Sequence, residues 1–434
     1  MGTTNKNQNS TATAVTEPVE VDASAELTHG YKMTKLGMIP NDWEAVKISD
    51  YTNGVDYRGK TPKKTNKGVF LVTAKNIKKG FIDYKCSVEY ISKDSYEDVM
   101  FRGKPSLGEV LITTEAPMGN VAQIDRENIA LAQRVIKLSS SSEKLSNNFL
   151  KWFLLSFNFQ KELILESTGS TVKGIKGSRL KKMPLIIPPL KEQQQIANIL
   201  TTWDKAITTT TNLLSNLRKR KKGLLQELLS GKKRLAGFSE EWSVSRLDET
   251  GKIYTGGTPS TKEADFWNGN INWFTPTEIS KSGKFVEKSQ RRITLEGIKK
   301  SSAVIFPKNT IIICTRATIG DLSIVKEKSS TNQGFKNIYV DENNDFEFFY
   351  YLLSSQKNNF IKKSSGSTFL ELSTSNFKKF KVTIPPLAEQ KAIANILIKA
   401  DKEIESYQAY LQSLQTQKKG LMQQLLTGKK RVAV

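Results

Sequence analysis

The eight residues Gly54–Thr61, GVDYRGKT, match the pattern of a loop that cradles nucleotide phosphates. Such a loop works only between a buried strand and a helix whose N-terminal amides face the phosphates. Here Pro62 follows at once, and no amphipathic run comes after it. The aligned residues in the second half of the chain read GKIYTGGT, with Gly257 in place of Lys60. We therefore expect a turn-rich loop rather than an ATP site, which an enzymatic interpretation of the chain would require.

The sequence contains few residues that could serve other kinds of catalysis. The single histidine, His29, argues against Ser-His-Asp and Cys-His catalysis, and the two cysteines, Cys86 and Cys314, argue against a zinc ribbon or a disulfide scaffold. There is no Asn/Asp-Pro-Pro-Tyr/Phe motif of an amino-methyltransferase and no G-x-G-x-x-G motif. We expect no catalytic, cofactor-binding or metal-binding residue in this chain.

The sequence also predicts where the chain resides. Its low cysteine content fits a reducing cytoplasm, and no apolar run approaches the roughly 20 residues of a membrane span. The first residues lack the apolar core of a signal peptide, and their Thr, Asn and Ser content is typical of a disordered tail. We therefore predict a cytoplasmic protein.

The charge points to a polyanion as partner. The 434 residues carry a formal net charge of +23, an excess that is most often associated with nucleic acid. Lysine and hydroxyl side chains can contact phosphates, Gln can bond adenine twice, and Arg can do so with guanine. The sequence predicts DNA contacts at Lys60, Thr61, Lys63, Lys64, Lys75, Gln133, Arg134, Ser170, Thr171, Lys173, Thr258, Ser260, Thr261, Arg316, Gln333, Ser367 and Thr368.

Three features of the sequence could contact DNA but also have a plain structural explanation. The Gly-hydroxyl loops Ser167–Thr171 and Ser364–Thr368 can approach a phosphate or serve as simple surface turns. The basic run Arg218–Lys222 can face DNA, solvent or a partner helix. Two aromatic clusters, which include Trp152 and Tyr351, can stack on bases, but their helical spacing favours core packing.

An internal repeat organises these residues. IPPLKEQQQIANIL begins at Ile187, and IPPLAEQKAIANIL begins at Ile384, with 11 of 14 positions identical at an offset of 197. Upstream, VLITTEAPMGNV (Val110–Val121) aligns with IIICTRATIGDL (Ile311–Leu322), and Trp43 aligns with Trp242. A period near 200 residues is too long for a solenoid and indicates two copies of one domain-plus-helix unit.

Each conserved block predicts a long helix. Its proline pair ends an extended segment, and apolar residues then recur at alternating spacings of three and four, which is typical of a coiled-coil seam. Two such helices of roughly 40 residues, each about 60 Å long, can pair antiparallel and hold two domains apart. The predicted helix-pairing residues are Leu200, Trp203, Ile207, Leu214, Leu217, Leu224, Leu228, Leu397, Ile404, Tyr407, Leu411, Leu414, Leu421 and Leu425.

The segments before the first long helix and between the two long helices predict α+β domains, because short β-rich runs alternate with glycine-containing turns and amphipathic helices. The predicted organisation is a disordered tail over 1–30, a first α+β domain over 31–186, a spacer helix over 187–234, a second α+β domain over 235–383 and a second spacer helix over 384–434. Two related but divergent domains at a fixed distance suggest an asymmetric ligand in two parts, such as two half-sites on one face of duplex DNA.

With these motifs, the chain resembles the specificity (S) subunit of type I restriction–modification systems. The resemblance rests on GMIPNDWEAVKISDY (Gly37–Tyr51), on TGGTPS (Thr255–Ser260) and on the two IPPL-x-EQ-x-x-I-A-x-I-L blocks, and it covers about residues 31–434. It implies two target recognition domains related by a pseudo-twofold axis and separated by an antiparallel coiled coil of two long helices. Each domain would read one half of a bipartite DNA target.

The same resemblance implies partners and cofactors. Two methyltransferase subunits would dock on the helices and bring S-adenosylmethionine for adenine methylation, and restriction subunits would bring ATP and Mg²⁺. This chain would be non-catalytic and would hold no cofactor itself. The alternative is a coiled-coil adaptor protein whose affinity for DNA is non-specific.

Overall fold

The computed structural model describes residues 30–57, 59, 62–366 and 370–433. The chain divides into two compact units: unit 1 holds the residues before Thr208 together with those from Ser413 onward, and unit 2 holds Thr208–Gln412. The predicted tail, residues 1–30, lies outside the described residues except for Gly30.

The first half of the chain contributes twelve strands and six helices to the described structure. In chain order they are β1 (Tyr31–Thr34), β2 (Gly37–Pro40), β3 (Glu44–Lys47), α1 (Ile48–Tyr51), β4 (Thr52–Asp56), β5 (Lys64–Thr65), β6 (Val69–Val72), β7 (Tyr90–Ile91), α2 (Tyr96–Val99), β8 (Val110–Thr113), β9 (Val121–Gln123), β10 (Ile129–Leu131), β11 (Val135–Ser140), α3 (Asn147–Leu155), α4 (Phe157–Leu165), α5 (Gly177–Lys181), β12 (Pro184–Ile187) and α6 (Leu190–Leu229).

The second half repeats much of this order. Its elements are β13 (Ser243–Arg246), β14 (Gly251–Thr255), β15 (Trp267–Phe274), α7 (Pro276–Ile279), β16 (Phe285–Val286), β17 (Arg291–Ile293), α8 (Leu295–Lys299), β18 (Ile311–Cys314), β19 (Leu322–Val325), β20 (Ser329–Thr331), β21 (Phe335–Val340), α9 (Phe346–Ser355), α10 (Lys357–Lys362), α11 (Thr374–Lys378), β22 (Lys381–Ile384) and α12 (Leu387–Leu425). Single 3-10 turns lie at Leu247–Glu249 and Ala264–Phe266.

Unit 1 is built on two four-stranded sheets. One has the order β4-β11-β8-β9 and is antiparallel, and the other has the order β10-β6-β7-β5, with β10 parallel to β6. Strand β8 is buried along its whole length, which explains its uninterrupted apolar sequence VLIT. The parallel pair places the carboxyl ends of β6 and β10 at the same sheet edge.

Unit 2 repeats this plan with a five-stranded sheet, β14-β21-β18-β19-β16, and a three-stranded sheet, β17-β15-β20. Strand β15 runs parallel to β20, as β6 does to β10 in unit 1. Helix α9 packs its aromatic face into the core, and its N-cap, Asp345, accepts a hydrogen bond from the Phe348 amide at 2.7 Å. The predicted α+β fold class is confirmed in both units.

The long helices begin after proline pairs, as predicted. The side chain of Gln193 in the first turn of α6 donates to the Pro188 carbonyl at 2.8 Å, and Gln390 in α12 donates to the Pro385 carbonyl at 2.9 Å. Beyond the helices, Gly231 and Gly428 have φ of +70° and +71°, a conformation that favours glycine. Among the described residues, no helix is long and apolar enough to cross a membrane.

Within unit 1, the start of α6 pairs with the end of α12. The Arg431 guanidinium bonds both carboxylate oxygens of Glu192, at 2.7 and 2.8 Å, and Lys418 forms an ion pair with Asp204. Residue numbers rise along α6 while those of the partners fall along α12, so the two segments run antiparallel. Leu200, Leu421 and Leu425 belong to the same apolar core.

Unit 2 repeats these contacts with the helices exchanged. Arg234 bonds both oxygens of Glu389 at 2.8 Å, and Lys221 forms an ion pair with Asp401. These positions correspond, at the repeat offset of 197, to the unit 1 pairs. The predicted antiparallel pairing of the helices is therefore present in each unit.

The residues predicted to pair the helices are all buried or half-buried. The buried ones are Leu200, Leu214, Leu217, Leu228, Leu397, Leu414 and Leu425. The half-buried ones are Trp203, Ile207, Leu224, Ile404, Tyr407, Leu411 and Leu421.

Candidate nucleic-acid interface

Three loops of unit 1 meet at the sheet edge where β10 ends. They are the strand-end loop 132–134, the hairpin loop 114–120 between β8 and β9, and the Gly-hydroxyl loop 167–174. The Thr114 amide donates to the Arg134 carbonyl at 2.9 Å, and the Ile175 amide donates to the Thr114 carbonyl at 3.0 Å. A bridge between Glu115 and Gly174 joins the hairpin loop to the Gly-hydroxyl loop. Backbone hydrogen bonds therefore join the hairpin loop to both of the other loops.

Unit 2 assembles the same three loops, at 332–334, 315–321 and 364–371, of which residues 367–369 lie outside the described part of the chain. The Thr315 amide donates to the Gly334 carbonyl at 2.7 Å, and the Leu372 amide donates to the Thr315 carbonyl at 3.1 Å. Arg316 and Glu371 form the bridge that matches the one in unit 1. The repeat therefore preserves this arrangement although most of the loop residues differ. We call it the three-loop site.

In unit 1, the three-loop site borders a groove that collects four of the residues predicted to contact DNA. Lys64 reaches it from β5, Lys75 from the loop after β6, and Gln133 and Arg134 from the strand-end loop. The complete lining is Pro62, Lys64, Leu71, Thr73, Ala74, Lys75, Glu89, Ala116, Ala132, Gln133 and Arg134. The cationic and amide side chains of this groove suit a phosphate or a base edge.

Carboxylates of the same surface partner some of these cations. The Lys64 ammonium lies 2.8 Å from Glu89, and Arg134 Nε lies 2.6 Å from Glu115. Arg134 also has φ +73°, a left-handed conformation that is costly for a residue with a side chain. The fold thus holds this guanidinium in a defined place on an exposed surface.

The other predicted contacts of unit 1 are partly brought together. Lys63 is exposed beside β5, and Ser170, Thr171 and Lys173 are exposed in the Gly-hydroxyl loop. Lys60 and Thr61 lie outside the described residues. None of these positions is tested as a DNA contact by the structure, and their roles stay predictions.

In unit 2, the Thr258 hydroxyl donates to Gln333 Oε1 at 2.5 Å, which joins the loop after β14 to the strand-end loop. Arg316 Nη2 lies 2.7 Å from Glu371. Ser260 and Thr261 are exposed farther along the loop after β14, and the structure shows no contact that brings them to the three-loop site within the residues it describes. Ser367 and Thr368 fall outside those residues.

Sequence reasoning missed the acidic members of this surface, Glu115 and Glu371. The buried Lys336 lies 3.7 Å from Glu371, and burial lowers the pKa of this lysine while the nearby carboxylate opposes that change. A signal was available, because the aligned segments VLITTEAPMGNV and IIICTRATIGDL place Glu115 opposite Arg316. The two copies of the repeat therefore carry opposite charges at one matched position.

The structural alternatives are decided for two features. Trp152, Phe153 and Tyr351 are at most 2% exposed, so these aromatic clusters are core rather than base-stacking platforms. In the basic run, Arg220 forms an ion pair with Glu403, and Lys221 pairs with Asp401, so this part of the run faces the partner helix.

The segment that matches a nucleotide-binding loop has the wrong surroundings. Gly54 lies inside β4, which pairs along its length with β11, and the next described element is the short strand β5 rather than a helix. A phosphate cradle needs a helix N-terminus after the loop. The expectation of a turn-rich loop is wrong for Gly54–Asp56, which belong to β4, and Arg58, Lys60 and Thr61 lie outside the described residues.

Comparisons with known proteins place the chain in a family. The family model described as the type I restriction modification DNA specificity domain matches residues 40–219 and again 239–415. The putative type I restriction enzyme MjaX specificity subunit of Methanocaldococcus jannaschii is 26% identical over 431 residues, which are 93% of this chain and 97% of that relative. The MjaIX specificity subunit of the same organism is 36% identical over 170 residues, and that match spans 38% of this chain and 39% of that relative.

The fold is also similar to that of a solved structure. The S subunit of the type I restriction–modification system of M. genitalium has a TM-score of 0.57 at 17% identity, and the match covers 88% of this chain and 96% of that one. Because two matches to the family model together cover most of the sequence, the prediction of a DNA-recognition subunit is confirmed at the level of family: the chain belongs to the type I restriction modification DNA specificity family.

Proposed function

We propose that this chain is the DNA-recognition subunit of a type I restriction–modification complex. Unit 1 reads one half of a bipartite target and unit 2 reads the other half. The observation that carries this proposal is the recurrence of the three-loop site in both units with different side chains. Two sites of one geometry and different chemistry suit an asymmetric target in two parts.

The paired helices supply the constant part of the function. Their ion pairs, Glu192–Arg431 and Asp204–Lys418 in unit 1, recur in unit 2 at the repeat offset, whereas the charged residues of the three-loop site differ between the two copies. Elements that stay the same in both copies suit a partner that is the same at both places. We infer that two methyltransferase subunits dock on these helices and that restriction subunits join the complex.

In this proposal the chain makes and breaks no bonds. S-adenosylmethionine would be bound by the methyltransferase subunits, and ATP and Mg²⁺ by the restriction subunits. The chain supplies base recognition and assembly, and its positive charge, +23 overall, supports attraction to the DNA backbone.

The experiment is co-expression with the cognate methyltransferase subunit, purification through a tag on this chain, and mapping of methylated adenines in the host DNA. We expect the two proteins to co-purify and the methylated adenines to lie in one asymmetric motif with an unspecified gap. A chain that purifies alone, or methylation at a single uninterrupted motif, would contradict the proposal.

A further inference from the structure

The three-loop site occurs in both units, so its two copies can be compared position by position. Gln133 and Gln333 occupy the same place in their strand-end loops, so a glutamine is common to both copies. The charged residues around it differ. At the first loop position after the conserved threonine, unit 1 has Glu115 and unit 2 has Arg316.

In unit 1, the arginine of the site comes from the strand-end loop. Arg134 Nε lies 2.6 Å from Glu115, and the two side chains are 49% and 40% exposed. This contact uses Nε and does not occupy the two terminal nitrogens of the guanidinium. Those two nitrogens form the edge that can bond two acceptors at once.

In unit 2, the arginine comes from the hairpin loop instead. Arg316 Nη2 lies 2.7 Å from Glu371 of the Gly-hydroxyl loop, with side chains 45% and 31% exposed. Unlike the contact in unit 1, this one uses a terminal nitrogen, and it leaves Nη1 and the second hydrogen of Nη2 to bond acceptors. The position that holds Arg134 in unit 1 is Gly334 here. Each copy therefore has one half-exposed arginine held by one carboxylate, but the two members come from different loops.

Stability does not account for these pairs. Exposed ion pairs contribute little to stability, and in unit 1 Arg134 also adopts a left-handed backbone conformation, which is costly for a residue with a side chain. What the pairs do provide is orientation, because a carboxylate at hydrogen-bond distance restricts the plane of the guanidinium. A guanidinium that is oriented and exposed matches the O6 and N7 acceptors on the major-groove edge of guanine. Arg134 also lines the groove of unit 1.

We propose that Arg134 and Arg316 are specificity-determining residues, each of which contacts a guanine in its own half of the target. Glu115 and Glu371 are positioning residues, which act through these arginines and do not contact the base. This inference rests on the proposed function and adds to it the base that each half requires at one position.

The test uses the complex of the full chain with its methyltransferase subunit, and the readout is the methylated motif in genomic DNA. Variants Arg134→Gln and Arg316→Gln are compared with the wild type. We expect each variant to lose preference for guanine at one position, by roughly 10- to 100-fold, in one half of the motif only. The other half, the gap and adenine methylation itself should be unchanged.

Two further pairs of variants make the result specific. Glu115→Gln and Glu371→Gln should weaken preference at the same positions as the arginine variants, by a smaller factor, and this readout would not move if the acids were merely structural. As matched controls, Lys144→Gln in unit 1 and Arg246→Gln in unit 2 remove other exposed ion pairs and should leave the motif unchanged.

Three results would overturn the inference. They are an unchanged motif in both arginine variants, altered preference in both halves from one substitution, or an altered position that does not require guanine in the wild type. In each of these cases the wild-type complex still methylates a bipartite motif, so the proposed function stands. A wild-type complex that methylates no bipartite motif would overturn the proposed function and this inference together.

Discussion

Glu192 and Arg431 are separated by 239 residues in the sequence, and the Arg431 guanidinium donates to both oxygens of that carboxylate, at 2.7 and 2.8 Å. The Glu192 side chain is 1% exposed, and Trp43 Nε1 also donates to it at 3.0 Å. Glu389 has the same partners in unit 2, namely Arg234 and Trp242. We call each of these arrangements a carboxylate clamp. Each clamp ties the end of one long helix to the beginning of the other.

Removing the arginine of a carboxylate clamp should destabilise its unit. Arg431→Ala leaves Glu192 buried without its cation, and we expect a loss of about 2–4 kcal/mol in the free energy of unfolding of unit 1. Urea unfolding followed by tryptophan fluorescence measures this loss. Lys429→Ala, an exposed neighbour, is the control and should change little. Equal effects of the two substitutions would show that the clamp contributes nothing.

The ion pair between Asp42 and Arg431, the arginine of the unit 1 clamp, should weaken in acid. Arg431 donates to Asp42, and these hydrogen bonds hold the pKa of that carboxyl below its usual value despite an opposing effect of burial. A carboxyl with a lowered folded-state pKa contributes stability above its unfolded pKa of about 4, and that contribution is lost as the pH falls through the folded pKa. Between pH 5 and 2, the melting temperature of the wild type should therefore fall more steeply than that of Asp42→Asn. Parallel curves would contradict this assignment.

The antiparallel register should appear in a charge-exchange experiment. Asp204→Lys and Lys418→Asp each place like charges together, and we expect each to cost about 1 kcal/mol in unit 1. The double variant restores an opposite pair and should recover most of that loss. Asp204→Lys combined with Lys221→Asp is the control, because Lys221 pairs with Asp401 and not with Asp204. Rescue by the control pair instead would mean that the register is wrong.

The two cysteines should differ sharply in reactivity. Cys86 is exposed, whereas Cys314 is buried in β18, and burial raises the pKa of the Cys314 thiol to about 12. At pH 8 only about one in 10,000 of the Cys314 thiols is then ionised, and the thiolate is the reactive form. We expect one rapidly reacting thiol per native chain, two after denaturation, and none in native Cys86→Ser. Two fast thiols in the native wild type would contradict the buried position of Cys314.

Sequence patterns predicted the elements well where the pattern was local or repeated. The long helices follow from proline pairs and from apolar spacings of three and four. The core role of Trp152 and Tyr351 followed from helical spacing as well. These features depend on residues close together in the chain, where periodicity is informative.

Contacts between distant segments were not predictable in the same way. Arg316 and Glu371 meet only because three loops converge, and no spacing along one chain specifies that meeting. The same holds for Arg431 with Glu192. Repeat alignment supplies part of the missing information, since the opposition of Glu115 and Arg316 was visible in the sequence before the loops were placed.

The central claim is that the two units recognise the two halves of the DNA target independently. Its most direct test is an exchange of residues 243–383 for the matching block of a relative that recognises another sequence. The hybrid chain, in complex with the methyltransferase subunit, is then assayed by mapping methylated adenines. Our account predicts that one half of the motif changes to that of the relative, while the other half and the gap stay as they were. A motif that changes in both halves, or in neither, would contradict it.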